Sequence, residues 1–261
     1  MMIMLIIISL CACSTSDNNA AEFQIQTFKK EIRFQGQENV FFAYHVEILF
    51  PEIISYSDQN TIEDINFELN RFFFGDQDVV LKKNSKVNFD RYIDKLTEAF
   101  QQEIRALPDS LPMLTQIPEY NLRKTARVIY NRNKILSVAC QIYQYTGGVH
   151  GNHDMEYLHF DMNTGMLFGI DELFDKNNKV NLFNLVSDKL EEMKKEKKEV
   201  LFEEAKIEDI DKFYFDKSYF CFVYDPYELG PYSSGFIEIK IPKSKIKPLL
   251  KKDIYPGFLN D

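Results

Sequence analysis

The stretch 135–145 constrains this chain most. Leu136, Val138, Cys140 and Ile142 alternate with Ser137, Ala139, Gln141 and Tyr143. A period of two sends the two sets to opposite faces, which makes this a strand with two unlike sides. Upstream the period is different. Ile62, Ile65, Leu69 and Phe72 line one face of a helix expected over 61–73, with Asn60 and Glu63 as a capping pair. Phe89, Ile93, Leu96, Phe100 and Ile104 line a second, over 89–106, closed by Leu107-Pro108. Before them, 25–34 and 40–50 read as strands. Gly36-Gln37-Glu38-Asn39 joins them as a hairpin turn and Pro51 ends the second.

Pro108, Pro112 and Pro118 fall between the helical and the strand-like halves. Beyond them, 120–130 reads as the hairpin partner of the alternating strand, turning at Asn131-Arg132-Asn133. A strand over 157–162 ends at the turn signal Asn163-Thr164-Gly165. Leu182, Val186, Leu190 and Met193 mark a helix over 180–198, whose charged end, 194–199, reads as solvated. Strands near Phe213, over 219–224 and over 236–241 precede a short basic helix after Pro242. Strands and helices are grouped, not alternating, which favours α+β. The expected layout is a small N-terminal strand–helix domain (23–107), a connector (108–119) and a larger antiparallel-sheet domain with a packed helix (120–261). Hydrophobic residues make up 45% of the chain, enough for a real core.

The chain opens MMIMLIIISLCAC, an uncharged run too short to span a bilayer, which needs about 20 residues. It suits a secretory signal, although no basic residue precedes it. Leu10-Cys11-Ala12-Cys13 resembles a bacterial lipobox. The expectation is a signal peptide over 1–12, a lipid such as palmitate on Cys13, and a polar tether over 13–22. The product is then an extracytoplasmic, membrane-anchored lipoprotein; the alternative is a buried N-terminal element of a cytosolic protein. Cys140 and Cys221 remain, as a disulfide or, the favoured reading, as buried thiols. The formal charge of −9 argues against nucleic acid and favours a basic partner.

Two segments carry candidate site residues. In 145–154, Gly147, Gly148, His150, Gly151 and Asn152 form a glycine-rich loop between strands. Such a loop permits positive φ and close backbone approach, and binds a ligand or simply turns the chain. His150 and His153, with Asp154 or His159, are a weaker zinc candidate, because they lack a helical spacing and a general-base Glu. In 224–235, Tyr224, Pro226, Tyr227 and Tyr232 lie on a proline-stiffened loop that suits either recognition or packing over a sheet edge. No GxSxG, Walker A or GxGxxG motif is present, so no catalytic residue is expected.

These segments, with Phe160-Asp161-Met162-Asn163-Thr164-Gly165, Asp171-Glu172-Leu173-Phe174 and Ile241-Pro242, resemble the C-terminal domain of unknown function in the lysozyme-sensing anti-sigma factor RsiV. A similar domain accompanies the peptidoglycan deacetylase PdaC. The resemblance covers about 140–251, with Val149 where the family usually carries Ala, and the region 23–107 looks like the smaller domain that precedes it. Neither a sigma-binding segment nor a polysaccharide deacetylase domain is legible, so neither activity is carried over. The resemblance implies an extracytoplasmic, envelope-associated module, in one branch a protein-binding one that recognises lysozyme. The expectation is a binding or sensing module for a lysozyme-like protein or peptidoglycan, with no cofactor and no enzymatic activity. The alternative is a metal-dependent cell-wall glycan hydrolase or deacetylase built on His150 and His153.

Overall fold

The computed structural model describes residues 20–36, 40–75, 80–106, 119–147, 149–196 and 200–251. The expected signal peptide, Cys13, most of the tether, the turn at 37–39, the connector over 108–118 and Gly148 lie outside them. The fold is α+β, as expected. β1 (Glu22–Gln35) and β2 (Phe41–Ser55) pair antiparallel. β2 runs through Pro51 because its pairing with the next strand stops at Leu49, opposite Thr125. Beyond that point one side of β2 is an edge, where a missing N–H is tolerated.

α1 (Gln59–Phe74) is capped by Asp58, not Asn60: the Asp58 carboxylate accepts from the Asn60 N–H at 3.1 Å and the Thr61 hydroxyl at 3.0 Å. α2 (Ser85–Arg105) starts four residues before its apolar stripe, because Asn84 accepts from the N–H groups of Lys86 and Val87. β3 (Glu119–Arg132) then pairs parallel with β2. A parallel pair needs a crossover, and α1, α2 and the connector supply it.

β3 turns into β4 (Ile135–Tyr145) at Asn133 and Lys134, both at positive φ, and not at 131–133. Asn131 stays in β3, where its side chain accepts from the Ala21 N–H at 3.2 Å and donates to the Ala21 carbonyl at 2.9 Å. β5 (Asn152–Asp161) and the short β6 (Leu167–Phe168) complete a six-stranded sheet in chain order.

The connector therefore divides neither sheet nor core. Ile65, Leu69 and Phe73 of α1 and Phe89 and Phe100 of α2 pack with Ile48 and Phe50 of β2. The same core takes in Leu136, Val138 and Cys140 of β4 and Phe160 of β5, from beyond the connector.

A second layer follows. α3 (Ile170–Leu173) leads to α4 (Lys176–Glu196), and β7 (Phe213–Phe215), β8 (Tyr219–Tyr224) and β9 (Ile237–Pro242) form a separate antiparallel sheet before α5 (Lys243–Ile246). Leu182, Val186, Leu190 and Met193 of α4 cover this sheet. Rings join it to the large one: Tyr130 meets Phe215 at 5.1 Å, Tyr157 meets Tyr214 at 5.2 Å and His159 meets Phe213 at 4.5 Å. Cys140 and Cys221 belong to different sheets and are buried free thiols.

Candidate functional site

The two loops singled out from the sequence meet. Loop A (146–151) links β4 to β5, and loop B (225–236) links β8 to β9. In loop A, Gly147 takes φ +98 with open space around it. Gly151 has no such freedom. A Cβ there would stand 2.4 Å from the Tyr143 ring, so only glycine lets backbone and ring approach this closely. Tyr143 also meets His153, its cross-strand partner, at 4.8 Å between ring centroids.

Loop B is folded by its own backbone. Glu228 N–H donates to the Asp225 carbonyl and Tyr227 N–H to the Gly230 carbonyl, each at 3.1 Å. The turn holds Tyr227 at φ +78, a conformation that costs a bulky side chain energy and that persists where surroundings impose it. A single turn of 3-10 helix at Tyr232–Ser234 then presents Tyr232.

Tyr232 clasps loop A. Its ring stacks on His150 at 4.2 Å and 17°, and its hydroxyl donates to the Gly151 carbonyl at 2.9 Å. Tyr227 lies 5.6 Å from Tyr232, with its hydroxyl 3.5 Å from His150 Nε2. The result is a three-ring platform, His150–Tyr232–Tyr227, open to solvent: His150 is exposed, Tyr227 is 58% exposed and the adjoining Val149, outside the platform, 99%. Asn152 is exposed at the start of β5 and Pro226 is half-buried. Tyr224 faces inward, 5% exposed, and its hydroxyl donates to the Asp209 carbonyl at 3.1 Å. It anchors loop B from below.

Where β5 meets the start of loop B sits a group that carries no sequence motif. The Lys212 amine donates to the Asp154 carboxylate of β5 at 2.9 Å and to the Asp225 carboxylate of loop B, with Glu156 at 3.7 Å. Burial alone would lower the Lys212 pKa, but its bonds to Asp225 and Asp154 outweigh it and raise the value well above a normal lysine. Burial would likewise raise Asp154, yet the Lys212 bond and charge hold it below its ordinary value. In Asp225 burial wins and the carboxyl is pushed up, as it is in Glu156 and in Glu228.

The histidines do not converge. His150 stacks on Tyr232, His153 meets the Tyr143 ring at a tilt of 43°, and Asp154 is held by Lys212. His159 is buried among Phe168, Phe213 and Phe215, with Nδ1 2.8 Å from the Ser137 hydroxyl and Nε2 2.9 Å from the Phe213 carbonyl. Among the described residues no three His, Cys, Asp or Glu side chains come together as a metal-holding group.

Each loop falls within a different family match. The family described as Deacetylase PdaC matches 36–153, ending just past loop A, and the protein of unknown function family DUF3298 matches 171–244, which contains loop B. The chain is a PdaC/DUF3298-type domain protein. A DUF3298-family crystal structure from Bacteroides fragilis is similar to it at 18% identity and TM-score 0.75, over 93% of this chain and 98% of that one. Another, from Pseudomonas aeruginosa, is similar at 14% identity and TM-score 0.60, over 90% of this chain and 98% of that one. No curated protein matches. At these identities the likeness is one of fold, and it runs through both halves of this PdaC/DUF3298-type chain.

Proposed function

We propose that this protein is a binding module of the cell envelope, held to the membrane by a lipid on Cys13, and that it recognises its partner without transforming it. The observation that carries this reading is the platform. Two loops from different sheets are locked together by a stacked His150–Tyr232 pair, and the outermost ring, Tyr227, is left exposed in a strained backbone conformation. Rigid tyrosines on a fixed loop offer contact area at low entropy cost. Strain held at an exposed position points to use.

The partner class is a lysozyme-like basic protein, with peptidoglycan as the other ligand. Asp154, Glu156 and Asp225 face one lysine at the roots of the two loops, with Glu228 bonded to the Asp225 N–H, on a chain of net charge −9, and this acidic excess steers a basic surface inward. Placement supports the anchor. The chain enters the large sheet at Ala21, beside Asn131 and the β3–β4 turn, while loop A lies at the far end of β4. The 11 residues of β4 put about 35 Å between them. A lipid at the entering end leaves the platform facing away from the bilayer.

Two assays on the soluble body test this. Capture by immobilised lysozyme is expected at low salt and to weaken as salt rises; capture by purified peptidoglycan is the parallel arm. Absence of both at low salt overturns the binding reading. Acetate release from peptidoglycan, with and without added divalent metal, is expected to stay at the no-protein level, and release above it overturns the non-catalytic reading.

A further inference from the structure

From the placement of Lys212 we infer that this residue positions the platform: its amine is the latch that sets loop B against loop A. The inference rests on the platform reading and adds what assembles it. Three observations carry it. Lys212 precedes β7, so it belongs to neither loop, and it reaches both β5, just past loop A, and the first residue of loop B. It holds Asp154, two residues after the start of β5 and so next to loop A, and Asp225, the first residue of loop B. Its own carbonyl accepts from the Val223 N–H at 2.9 Å, so its backbone is registered on β8.

The surrounding charges leave the amine no equivalent substitute. Asp154 and Glu156 face it from β5, and Asp225 faces it from loop B. Glu228 lies one turn further on, its carboxylate accepting from the Asp225 N–H, and the Tyr157 phenol also feels the Lys212 charge. Without the ammonium these carboxylates, partly withdrawn from water, repel one another across the seam between β5 and loop B. Among the described residues, the Tyr232 clasp and the Tyr227–His150 contact then remain as direct ties between the loops. Lys212 itself touches none of the three rings, so its effect on binding is exerted through Asp154 and Asp225.

The chain contains four histidines, and two of them report separately. His150 lies over the Tyr232 ring and takes an upfield ring-current shift only while the platform is assembled. His159 lies among Phe213, Phe215 and Phe168 and reports whether the two sheets remain packed. The test is carbon–proton NMR of the histidine side chains in wild type and Lys212→Met. The expected result is that the His150 shift collapses to that of a free imidazole while His159 stays in place. A His150 signal that does not move overturns the inference, and so does joint movement of both signals, which makes Lys212 a general support of the sheet seam. Should Lys212→Met not fold, the same reading is made on Lys212→Met combined with Asp154→Asn, Glu156→Gln and Asp225→Asn, which leaves none of the three facing carboxylates without its cation. These shifts are read without a partner, so their failure is distinct from a failure of the platform to bind.

Discussion

At the scale of single residues, Gly151 and His159 show how little room the seam leaves. A Cβ at Gly151 meets the Tyr143 ring, so Gly151→Ala forces ring or backbone aside. Overpacking of this kind costs about 1–3 kcal/mol. A lowered melting temperature, with loss of the His150 ring-current shift, is the expected outcome by calorimetry and NMR. His159 is buried as neutral imidazole, accepting from Ser137 and donating to the Phe213 carbonyl, and burial pushes its pKa down to about 4. The unfolded chain takes up that proton near about 6.5. His159 therefore contributes fully above that value, and its contribution falls as the pH drops towards 4, by about 3 kcal/mol at most. In urea unfolding, the stability gap between wild type and His159→Leu is expected to narrow from neutral pH to pH near 4.5; a constant gap contradicts it. Residues of this scale were partly legible. Glycines, histidines and tyrosines flag themselves by composition and grouping. Lys212 did not, because its partners Asp154 and Asp225 lie 58 and 13 residues away and none of the three sits in a motif.

At the scale of elements, apolar period located the helices and most strands, because burial against one layer leaves a repeat in the chain. The ends were less legible. α1 and α2 begin at Asp58 and Asn84, whose side chains accept from the first free N–H groups, and both lie ahead of the apolar stripe that marks each helix. β5 begins at Asn152, so His153 and Asp154 are strand residues with fixed cross-strand partners and not loop ligands. The parallel β2–β3 pairing left no local signal at all, since it is made across about 70 residues of crossover and is fixed by packing, not by a turn. It has a direct consequence. Because Leu136, Val138, Cys140 and Phe160 share one core with Ile65, Leu69 and Phe89, fragments 20–106 and 119–251 expose that core when made separately. Neither is expected to give dispersed amide NMR signals alone. Two independently folded fragments contradict the shared core.

At the scale of the whole molecule, the two sheets act as supports for one surface. The large sheet carries loop A, the small sheet carries loop B, and ring contacts at Tyr130, Tyr157 and His159 fix one sheet to the other. The α+β class was legible in the grouping of periods, and both loops were visible as unusual segments. That they touch was not, because their approach depends on the docking of two sheets built from distant stretches. On the proposed reading the lipid anchor lies at one end of this acidic chain and the exposed rings at the other. The most direct measurement is the binding isotherm of Tyr227→Ala against wild type, for lysozyme and for peptidoglycan at low salt. Truncating a central exposed aromatic of a binding surface costs on the order of 2 kcal/mol, or about thirtyfold in Kd. The account predicts that loss for the ligand wild type binds, with the melting temperature and the His159 signal unchanged. Equal affinity of the two proteins contradicts it.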